Sequence, residues 1–251
     1  MLNAVTIDCF RGDLAAYRTG YTVVAIDVVR ATTTAVTAAA GGRRCFPVPT
    51  ISAAFKLAEQ MPFAILAGEQ AGILPIGFHL NNSPSQLASR TDVGRPLILL
   101  SSSGTRLCHA AAECEVALVA CLRNYIATAN YLAKRSSAVA LIGAGTHDEF
   151  REEDQMCCAW IAACLLDFGY QAADRSTVET IRRWASKPAD AWITGKSARF
   201  LRESDQLADL DFILQHVADV DQAFVLEHGE VLIAPEASAD GLDNRRRAYS
   251  A

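Results

Sequence analysis

The chain has 251 residues, of which 51% are hydrophobic and 20% charged, the composition of an ordinary globular protein. No apolar run approaches the roughly 18 residues that a membrane span needs, and a formal net charge of −5 argues against general nucleic-acid binding. The N-terminus also lacks a basic flank and an apolar signal core. We therefore expect a cytoplasmic protein, with residues 1–251 folded as one domain or as two lobes of it. The sequence leaves open whether it forms a homodimer.

In chain order, short β-rich runs alternate with helix-like segments. The predicted strands are Ala4–Ile7, Thr22–Ile26, Cys45–Val48, Ala64–Leu66, Pro96–Leu100, Val116–Ala120 and Ala138–Ile142. The predicted helices between them are Thr32–Ala40, Ser52–Gln60, Thr105–Ala112 and Tyr125–Lys134. Alternation of this kind is typical of an α/β fold. We predict three layers, α/β/α, around a mixed, largely parallel sheet.

The last third of the chain has a different character. The stretch Asp154–Phe168 is apolar almost all round and predicts a buried helix. Two further helices and a hairpin are predicted after it, at Ser176–Ala185, Ser197–Val217 and Phe224–Glu227 with Glu230–Ile233. Residues 236–251 are polar and charged, and we expect them to form a loose tail.

The eight cysteines could indicate disulfide bonds or a zinc site. They include no Cys-x-x-Cys pair, and several stand in apolar segments. We interpret them as small core residues of a reduced protein.

Ligands of open α/β sheets bind outside the carboxyl ends of the strands, so the residues after each predicted strand are candidates for a site. Five predicted strands are followed by polar loops. We expect these loops to meet at the C-terminal edge of the sheet and to form the ligand site there. The loops begin at Asp27, Gly68, Ser101, Arg123 and Gly143.

The first of these loops, Asp27–Thr34, carries three kinds of group that bind phosphate or its metal ion. A carboxylate such as Asp27 can hold a metal, a guanidinium such as Arg30 can bind an oxyanion through two hydrogen bonds, and a helix N-terminus offers free N–H groups. Thr32 and Thr33 stand where that helix begins. The alternative is an ordinary strand-end carboxylate followed by capping threonines.

The loop Ser101–Arg106 has three serines before Gly104, more hydroxyls than one helix start needs. They can form a nest of donors around a phosphate, with Arg106 one turn into the helix, or simply cap the helix. Glu152–Asp154 is equally open, since acidic residues are favoured at a helix start without any ligand. The role of Glu69 after its strand is open in the same way.

Several known phosphate motifs are absent. Position 29 is valine, which excludes the paired aspartates of haloacid-dehalogenase-type phosphatases, and no cysteine has an arginine six residues later. Gly195-Lys196-Ser197 resembles the end of a P-loop, but the required upstream glycine position holds Asp190. The glycines at 143 and 145 lack the third glycine of a dinucleotide fingerprint, because position 148 is aspartate.

Five motifs are spread along the chain between residues 26 and 154: Ile26–Thr34, Ala67–Glu69, Gly77–Pro84, Ser103–Arg106 and Glu153–Asp154. In this order they resemble the magnesium-dependent 2-phosphosulfolactate phosphatases of coenzyme M biosynthesis and their bacterial relatives. The resemblance implies hydrolysis of a phosphate monoester of a small sulfonated hydroxy acid, from 2-phosphosulfolactate to 3-sulfolactate and phosphate, with Mg²⁺ as the cofactor.

Metal ligands and nucleophile are the first roles to assign. Magnesium prefers oxygen ligands, which Asp27, Glu153 and Asp154 can supply. Either a serine or a metal-bound water can attack the phosphate. We favour water, because no residue of the sequence indicates a base beside a serine.

The catalytic and binding candidates follow from the same chemistry. Arg30 and Arg106 would neutralise the transferring phosphoryl oxygens. Asp27 and Glu69 are the other two catalytic candidates. The candidates for binding the anionic substrate are Thr32, Thr33, Asn82, Ser83, Ser102, Ser103, Gly104, Thr105 and Arg123.

The chain departs from the family pattern in two loops. His79 and Asn81 stand where the pattern has aspartate and glycine, and Ser103 stands where it has asparagine. These changes motivate two alternatives. One is a non-catalytic anion-binding or regulatory protein that keeps the fold, and the other is a metal-dependent hydrolase with a different anionic substrate.

Overall fold

The structure, a computed structural model, describes residues 3–145 and 149–235. Strands in this part of the chain are β1 (Ala4–Cys9), β2 (Thr22–Ile26), β3 (Cys45–Val48), β4 (Ile65–Gly68), β5 (Leu97–Leu100), β6 (Val116–Ala120), β7 (Ala138–Gly143), β8 (Gln171–Ala172), β9 (Phe224–Glu227) and β10 (Glu230–Ile233). The tail expected at 236–251 lies outside the described residues.

The α-helices of the same residues are α1 (Ala31–Ala40), α2 (Ile51–Gln60), α3 (Pro84–Ala88), α4 (Gly104–Ala111), α5 (Tyr125–Ala133), α6 (Glu152–Asp167), α7 (Arg175–Trp184), α8 (Lys196–Glu203) and α9 (Leu207–Gln215). None of them is both long enough and apolar enough to cross a membrane.

The strands join in one sheet, in the order β4-β5-β3-β10-β9-β6-β2-β7-β1-β8. Two blocks within it are parallel: β4, β5 and β3 form one, and β6, β2, β7, β1 and β8 form the other. The hairpin β9–β10 lies between them and is antiparallel to one strand of each block. The prediction of a mixed, largely parallel sheet is therefore confirmed.

The two parallel blocks run in opposite directions, because three successive antiparallel pairings separate β3 from β6. The candidate loops therefore leave two edges of the sheet and not the single edge that the sequence predicted. Gly104, after β5, nevertheless lies against Asp27, after β2. These strands are five positions apart in the sheet, and we infer that the usual twist of roughly 20–25° per strand brings their ends together.

Three hydrophobic clusters fill the layers on either side of the sheet. One packs β1, β2, β6 and β7 against α5–α9, and a second lies between both blocks and the helices α1 and α4. The third joins β3, β4 and β5 to α2. The predicted α/β/α arrangement is confirmed, and α1 and α4 occupy the face that the two blocks share.

The cysteines behave as core residues. Six of the eight are buried, and burial raises the pKa of the Cys121 thiol to about 11. The Cys121 thiol therefore stays protonated at neutral pH, as a small apolar group does in a packed core.

Most predicted element boundaries agree with the structure to within one or two residues. The clear error is Ser197–Val217, which forms two helices, α8 and α9, instead of one. The chain turns between them at Asp205, whose φ of +57° lies in the left-handed region. Two elements were not predicted, β8 and the short helix α3, which begins with Ser83 as its N-cap and Pro84 at its first position.

The buried guanidinium of Arg43 provides a test of this fold. Its Nη1 donates to the carbonyl oxygens of Asp92 and Arg95 at 2.8 and 2.6 Å, and its Nη2 donates to the Asp92 carboxylate at 2.8 Å. We expect Arg43→Ala to lower the free energy of unfolding by about 2–4 kcal/mol, because three hydrogen bonds and the packing of a buried side chain are lost. Urea denaturation measures the change.

The control is Arg18→Ala, which breaks an ion pair with Glu113 whose side chains are 54% and 52% exposed. Its effect should stay below about 1 kcal/mol. Hydrogen bonds from Arg90 and Arg43 hold the pKa of Asp92 below its ordinary value. The contribution of this pair is therefore present above about pH 4 and is lost as the pH falls toward the folded-state pKa. A deficit in Arg43→Ala that persists unchanged in strong acid would contradict this account.

Candidate active site

The loops after β2, β4, β5 and β7 surround a cavity of about 660 Å³. Among the described residues that line it, the cationic side chains outnumber the carboxylates, although the whole chain is acidic. The cations are Arg11, Arg30, Arg106, Arg151 and Lys196, and the carboxylates are Asp27 and Glu69. Asn82 and Ser101–Ser103 add polar groups to the wall.

Asp27 is the buried carboxylate at the end of β2. Its side chain is only 8% exposed, and its Oδ1 accepts the N–H of Ala31 at 3.2 Å, at the start of α1. Burial, assisted by the nearby carboxylates of Glu69 and Glu153, raises the pKa of Asp27 to about 7 against the opposing effects of the Ala31 N–H and Arg30. A cation or a proton in the cavity would therefore stabilise this group.

The threonines that follow Asp27 stabilise the loop itself. The Thr32 hydroxyl accepts the Asp27 N–H at 2.9 Å and donates to the Asp27 carbonyl at 2.8 Å. The Thr33 hydroxyl donates to the Val28 carbonyl at 2.8 Å. Neither threonine lines the cavity. The structure therefore places these two predicted substrate ligands behind the site, where they fix the backbone that carries Asp27.

Arg30 is the N-cap residue of α1 and lines the cavity. Its side chain forms an ion pair with Asp209 of α9. The Arg30 Nη1 and the Asp209 Oδ2 are 2.5 Å apart, and both side chains are less than 5% exposed. Asp209 was not identified from the sequence. A weak signal was present, because Asp209 stands four residues before Ile213 and shares its buried helix face.

Glu69 and Ser102 join the loops after β4 and β5. The Glu69 carboxylate accepts the N–H of Ser102 at 2.7 Å, the Ser102 hydroxyl at 2.9 Å and the N–H of Gly72 at 2.7 Å. The Ser102 hydroxyl in turn accepts the N–H of Ala71 at 2.8 Å. A carboxylate therefore does lie beside a serine, contrary to the sequence analysis. The same four bonds hold both side chains in loop contacts.

The N-terminus of α4 also borders the cavity. Ser101 and Thr105 satisfy each other: the Ser101 N–H donates to the Thr105 hydroxyl at 2.8 Å, and the Thr105 N–H donates to the Ser101 hydroxyl at 3.0 Å. Thr105 is fully buried and faces away from the cavity. Ser103 and the exposed Arg106 line the cavity, and Arg106 has no ion-pair partner within the described ranges.

Position 104 has no room for a side chain. A Cβ atom built on Gly104 would lie 2.1 Å from the Asp27 Oδ2 and 2.6 Å from the Ala31 Cβ. These distances are far below van der Waals contact. Gly104 therefore allows the start of α4 to approach the Asp27 carboxylate directly.

Asn82 and Ser83 occupy different positions although they are neighbours in sequence. Asn82 is 2% exposed and lines the cavity, and its Oδ1 has no hydrogen-bond partner among the residues described. The Ser83 hydroxyl instead donates to the Asp209 Oδ1 at 2.7 Å and caps α3. Ser83 does not line the cavity, so its position does not support the predicted contact with substrate.

Glu153 and Asp154, the other two predicted metal ligands, lie behind the cavity wall. The Asp154 Oδ1 accepts the N–H of Val28 at 2.8 Å, and burial raises the pKa of both carboxyls. In the described part of the chain no three acidic, histidine or cysteine side chains come together as a ready-made metal cluster. Of the predicted trio, only Asp27 lines the cavity.

Arg123 is placed elsewhere. It donates to the Asp219 carboxylate at 3.0 and 2.7 Å and to the Thr37 hydroxyl at 2.9 Å, and it lines a separate cavity of about 370 Å³. Its position does not support the predicted contact with the same substrate.

Three cations of the active-site cavity were not identified from the sequence: Arg11, Arg151 and Lys196. Arg11 follows β1, so the rule that ligands bind at the carboxyl ends of strands could have identified it. Lys196 and Arg151 both pair with Glu149. Of the departures from the family pattern, His79 has a structural contact, because its Nδ1 accepts the Leu66 N–H at 3.0 Å.

Substitution of Gly104 tests the approach of α4 to Asp27. We expect Gly104→Ala to lower the free energy of unfolding by about 1–3 kcal/mol, because the new methyl group overlaps Asp27 and Ala31. The control is Gly94→Ala, where nothing lies within 4 Å of the added Cβ and the change should stay within about 0.5 kcal/mol. Urea denaturation compares the two. Equal effects would contradict the contact.

Comparison with known proteins identifies the family. The model of the 2-phosphosulpholactate phosphatase family matches residues 11–223. A probable 2-phosphosulfolactate phosphatase of Symbiobacterium thermophilum is 34% identical over 200 residues, which cover 78% of this chain and 79% of that protein. One from Deinococcus radiodurans is 32% identical over 195 residues, covering 76% and 81%. One from Carboxydothermus hydrogenoformans is 37% identical over 146 residues, covering 58% and 60%. The chain therefore belongs to the 2-phosphosulpholactate phosphatase family of phosphoric monoester hydrolases.

Proposed function

We propose that this chain is a Mg²⁺-dependent phosphatase that converts 2-phosphosulfolactate, or a similar small phosphorylated acid, to the hydroxy acid and inorganic phosphate. The observation that carries the proposal is the convergence of Asp27, Arg30 and the N-terminus of α4 on one cavity. Family membership and the names of the relatives support the same substrate.

The cavity fits a substrate with several negative charges. Phosphate, sulfonate and carboxylate groups each need cationic or N–H partners, and the cavity wall offers four arginines and a lysine among its described residues. The phosphate is assigned to the N-terminus of α4, where free N–H groups, Ser103 and Arg106 meet beside Asp27. The other cations remain for the acid groups of the substrate.

The oxygen groups of the cavity fit a magnesium ion. Magnesium takes one or two carboxylates together with substrate phosphate and water. Asp27 offers a buried carboxylate, and the Oδ1 of Asn82 is a buried oxygen with no partner among the described residues. In this proposal Asp27 and Asn82 would hold the ion. Asp154 would support Asp27 from behind, because its Oδ1 accepts the N–H of the next residue, Val28. The chemistry that the ion supplies when bound is neutralisation of charge on the phosphoryl oxygens.

The protein groups divide the rest of the reaction between them. Arg30 and Arg106 bind the phosphoryl oxygens and stabilise the charge that develops on them. Water attacks phosphorus as the ester bond breaks, and a proton passes to the departing hydroxy acid oxygen. The Ser102 hydroxyl donates to Glu69 and accepts the Ala71 N–H. In this proposal it therefore stabilises the loop and is not the nucleophile. Detection of a phosphoserine intermediate would overturn the choice of water.

A panel of small phosphate monoesters that includes 2-phosphosulfolactate tests the proposed activity. We expect phosphate release from 2-phosphosulfolactate in the presence of Mg²⁺ and its loss when the divalent cation is chelated. Phosphate release without divalent cation would contradict the proposed cofactor. Binding of inorganic phosphate with no turnover of any ester would favour the non-catalytic anion-binding alternative.

Replacement of Asp27 tests its role in the site. Asp27→Asn should lower kcat about 100-fold or more, because the amide is a poorer ligand for magnesium. It should leave the melting temperature unchanged or higher, since the buried charge is removed. Asp167→Asn, at the exposed C-terminus of α6, is the matched control and should keep wild-type kcat. Unchanged turnover in Asp27→Asn would remove Asp27 from the mechanism.

Replacement of Arg106 tests the assigned phosphate position. Arg106→Gln should lower kcat/KM about 10- to 100-fold, because the transition state loses a charged donor. The matched control is Arg182→Gln on the exposed face of α7, outside the cavity. Steady-state kinetics on 2-phosphosulfolactate measure both. Equal kcat/KM in the two variants would show that Arg106 does not contact the phosphate.

A further inference from the structure

We propose that Asp209, from the C-terminal part of the chain, is a positioning residue that sets the orientation of the Arg30 guanidinium for catalysis. This inference rests on the proposed function, in which Arg30 binds the transferring phosphoryl group. Asp209 itself does not line the cavity. It acts through Arg30.

The geometry divides the Asp209 carboxylate into two halves with separate partners. Its Oδ1 accepts the Ser83 hydroxyl at 2.7 Å, the Ser85 hydroxyl at 2.6 Å and the Ser85 N–H at 3.1 Å. Its Oδ2 accepts the Arg30 Nη1 at 2.5 Å. Three donors at the start of α3 thus fix the carboxylate, and its second oxygen is left for Arg30.

Because the ion pair is buried, Asp209 controls the orientation of the Arg30 guanidinium. Both members of the pair are less than 5% exposed, so neither charge is solvated as it would be at the surface. A planar guanidinium that gives one edge to a fixed carboxylate has its remaining N–H groups held in a defined direction. Arg30 lines the cavity in which the phosphate is assigned.

The backbone around Arg30 does not supply this constraint by itself. Arg30 stands at the N-cap position of α1 without a side-chain capping bond. The hydrogen bonds of its loop are made by the backbone and by other side chains, among them those of Asp27, Asp154 and the three threonines. Within the described residues, Asp209 is the ion-pair partner of the Arg30 side chain. A helix 179 positions away in sequence therefore determines where this cation lies.

A double-mutant cycle tests the inference, with wild type, Arg30→Lys, Asp209→Asn and the double variant. Asparagine keeps an oxygen for the Ser83 and Ser85 donors and removes the charge that holds Arg30. We expect Asp209→Asn to lower kcat on 2-phosphosulfolactate about 100-fold, because a small misplacement of a catalytic group is enough for that loss. KM should change by less than about threefold, since the contact matters most in the transition state.

The double variant gives the deciding comparison. If Asp209 acts through Arg30, then Asp209→Asn should lower kcat by less than about threefold in the Arg30→Lys background. Independent, multiplicative losses would overturn the proposal. A lower melting temperature with wild-type kcat in the folded protein would overturn it too, because that is the result expected of a purely structural residue.

Two further measurements keep the test decisive. If Asp209→Asn does not fold, Ser85→Ala replaces it in the cycle, because this change loosens the carboxylate and keeps the ion pair. Binding of inorganic phosphate, measured by calorimetry, is independent of turnover. If wild type releases no phosphate from the ester, the proposed function fails. Non-additive losses of phosphate affinity in the cycle would still support the positioning role, and additive losses would contradict it.

Discussion

The approach of Gly104 to the Asp27 carboxylate is the contact on which the cavity depends. It places the start of α4, which follows one parallel block, against the end of β2, which belongs to the other. The two blocks run in opposite directions, so an untwisted sheet would keep these groups at opposite edges. Because position 104 has no side chain, a helix N-terminus with free N–H groups and a buried carboxylate can share one wall. In the proposed function, the N–H groups bind the phosphate and the carboxylate holds the magnesium ion.

The surroundings of this contact combine rigidity with unbalanced charge. Each loop is closed by its own short bonds, such as the Thr32 hydroxyl on the Asp27 backbone and the Glu69 carboxylate on Ser102. Behind them, burial raises the pKa of Asp27, Glu153 and Asp154. Closely spaced buried carboxylates reduce the stability of a fold, and sites that bind ligands commonly accept this cost.

Local patterns allowed much of the fold and part of the site to be predicted. Strands such as Thr22–Ile26 and the loop that carries Asp27 and Arg30 were identified because apolar periodicity and helix-start residues lie close together in sequence. The break at Asp205 was missed because a left-handed residue interrupts an otherwise continuous helical pattern. Asp209 was missed for another reason. Its partner Arg30 is 179 residues away, and no local rule reports a pairing of that range. Thr32, Thr33 and Ser83 were predicted as substrate ligands for a related reason, since a hydroxyl can face a ligand or other protein groups and only the packed structure decides.

The hairpin that joins the two halves of the sheet has a consequence for how the chain is built. Its strands β9 and β10 are the last elements of the sheet in sequence, yet they occupy its centre. During synthesis on the ribosome, β3 and β6 therefore emerge with one unpaired backbone edge each, and both must wait for residues 224–233. Exposed strand edges are where chains associate wrongly, and distant pairings form slowly. The nascent protein thus remains open to aggregation until nearly its whole described length has left the ribosome, and a chaperone that covers strand edges would act in that interval.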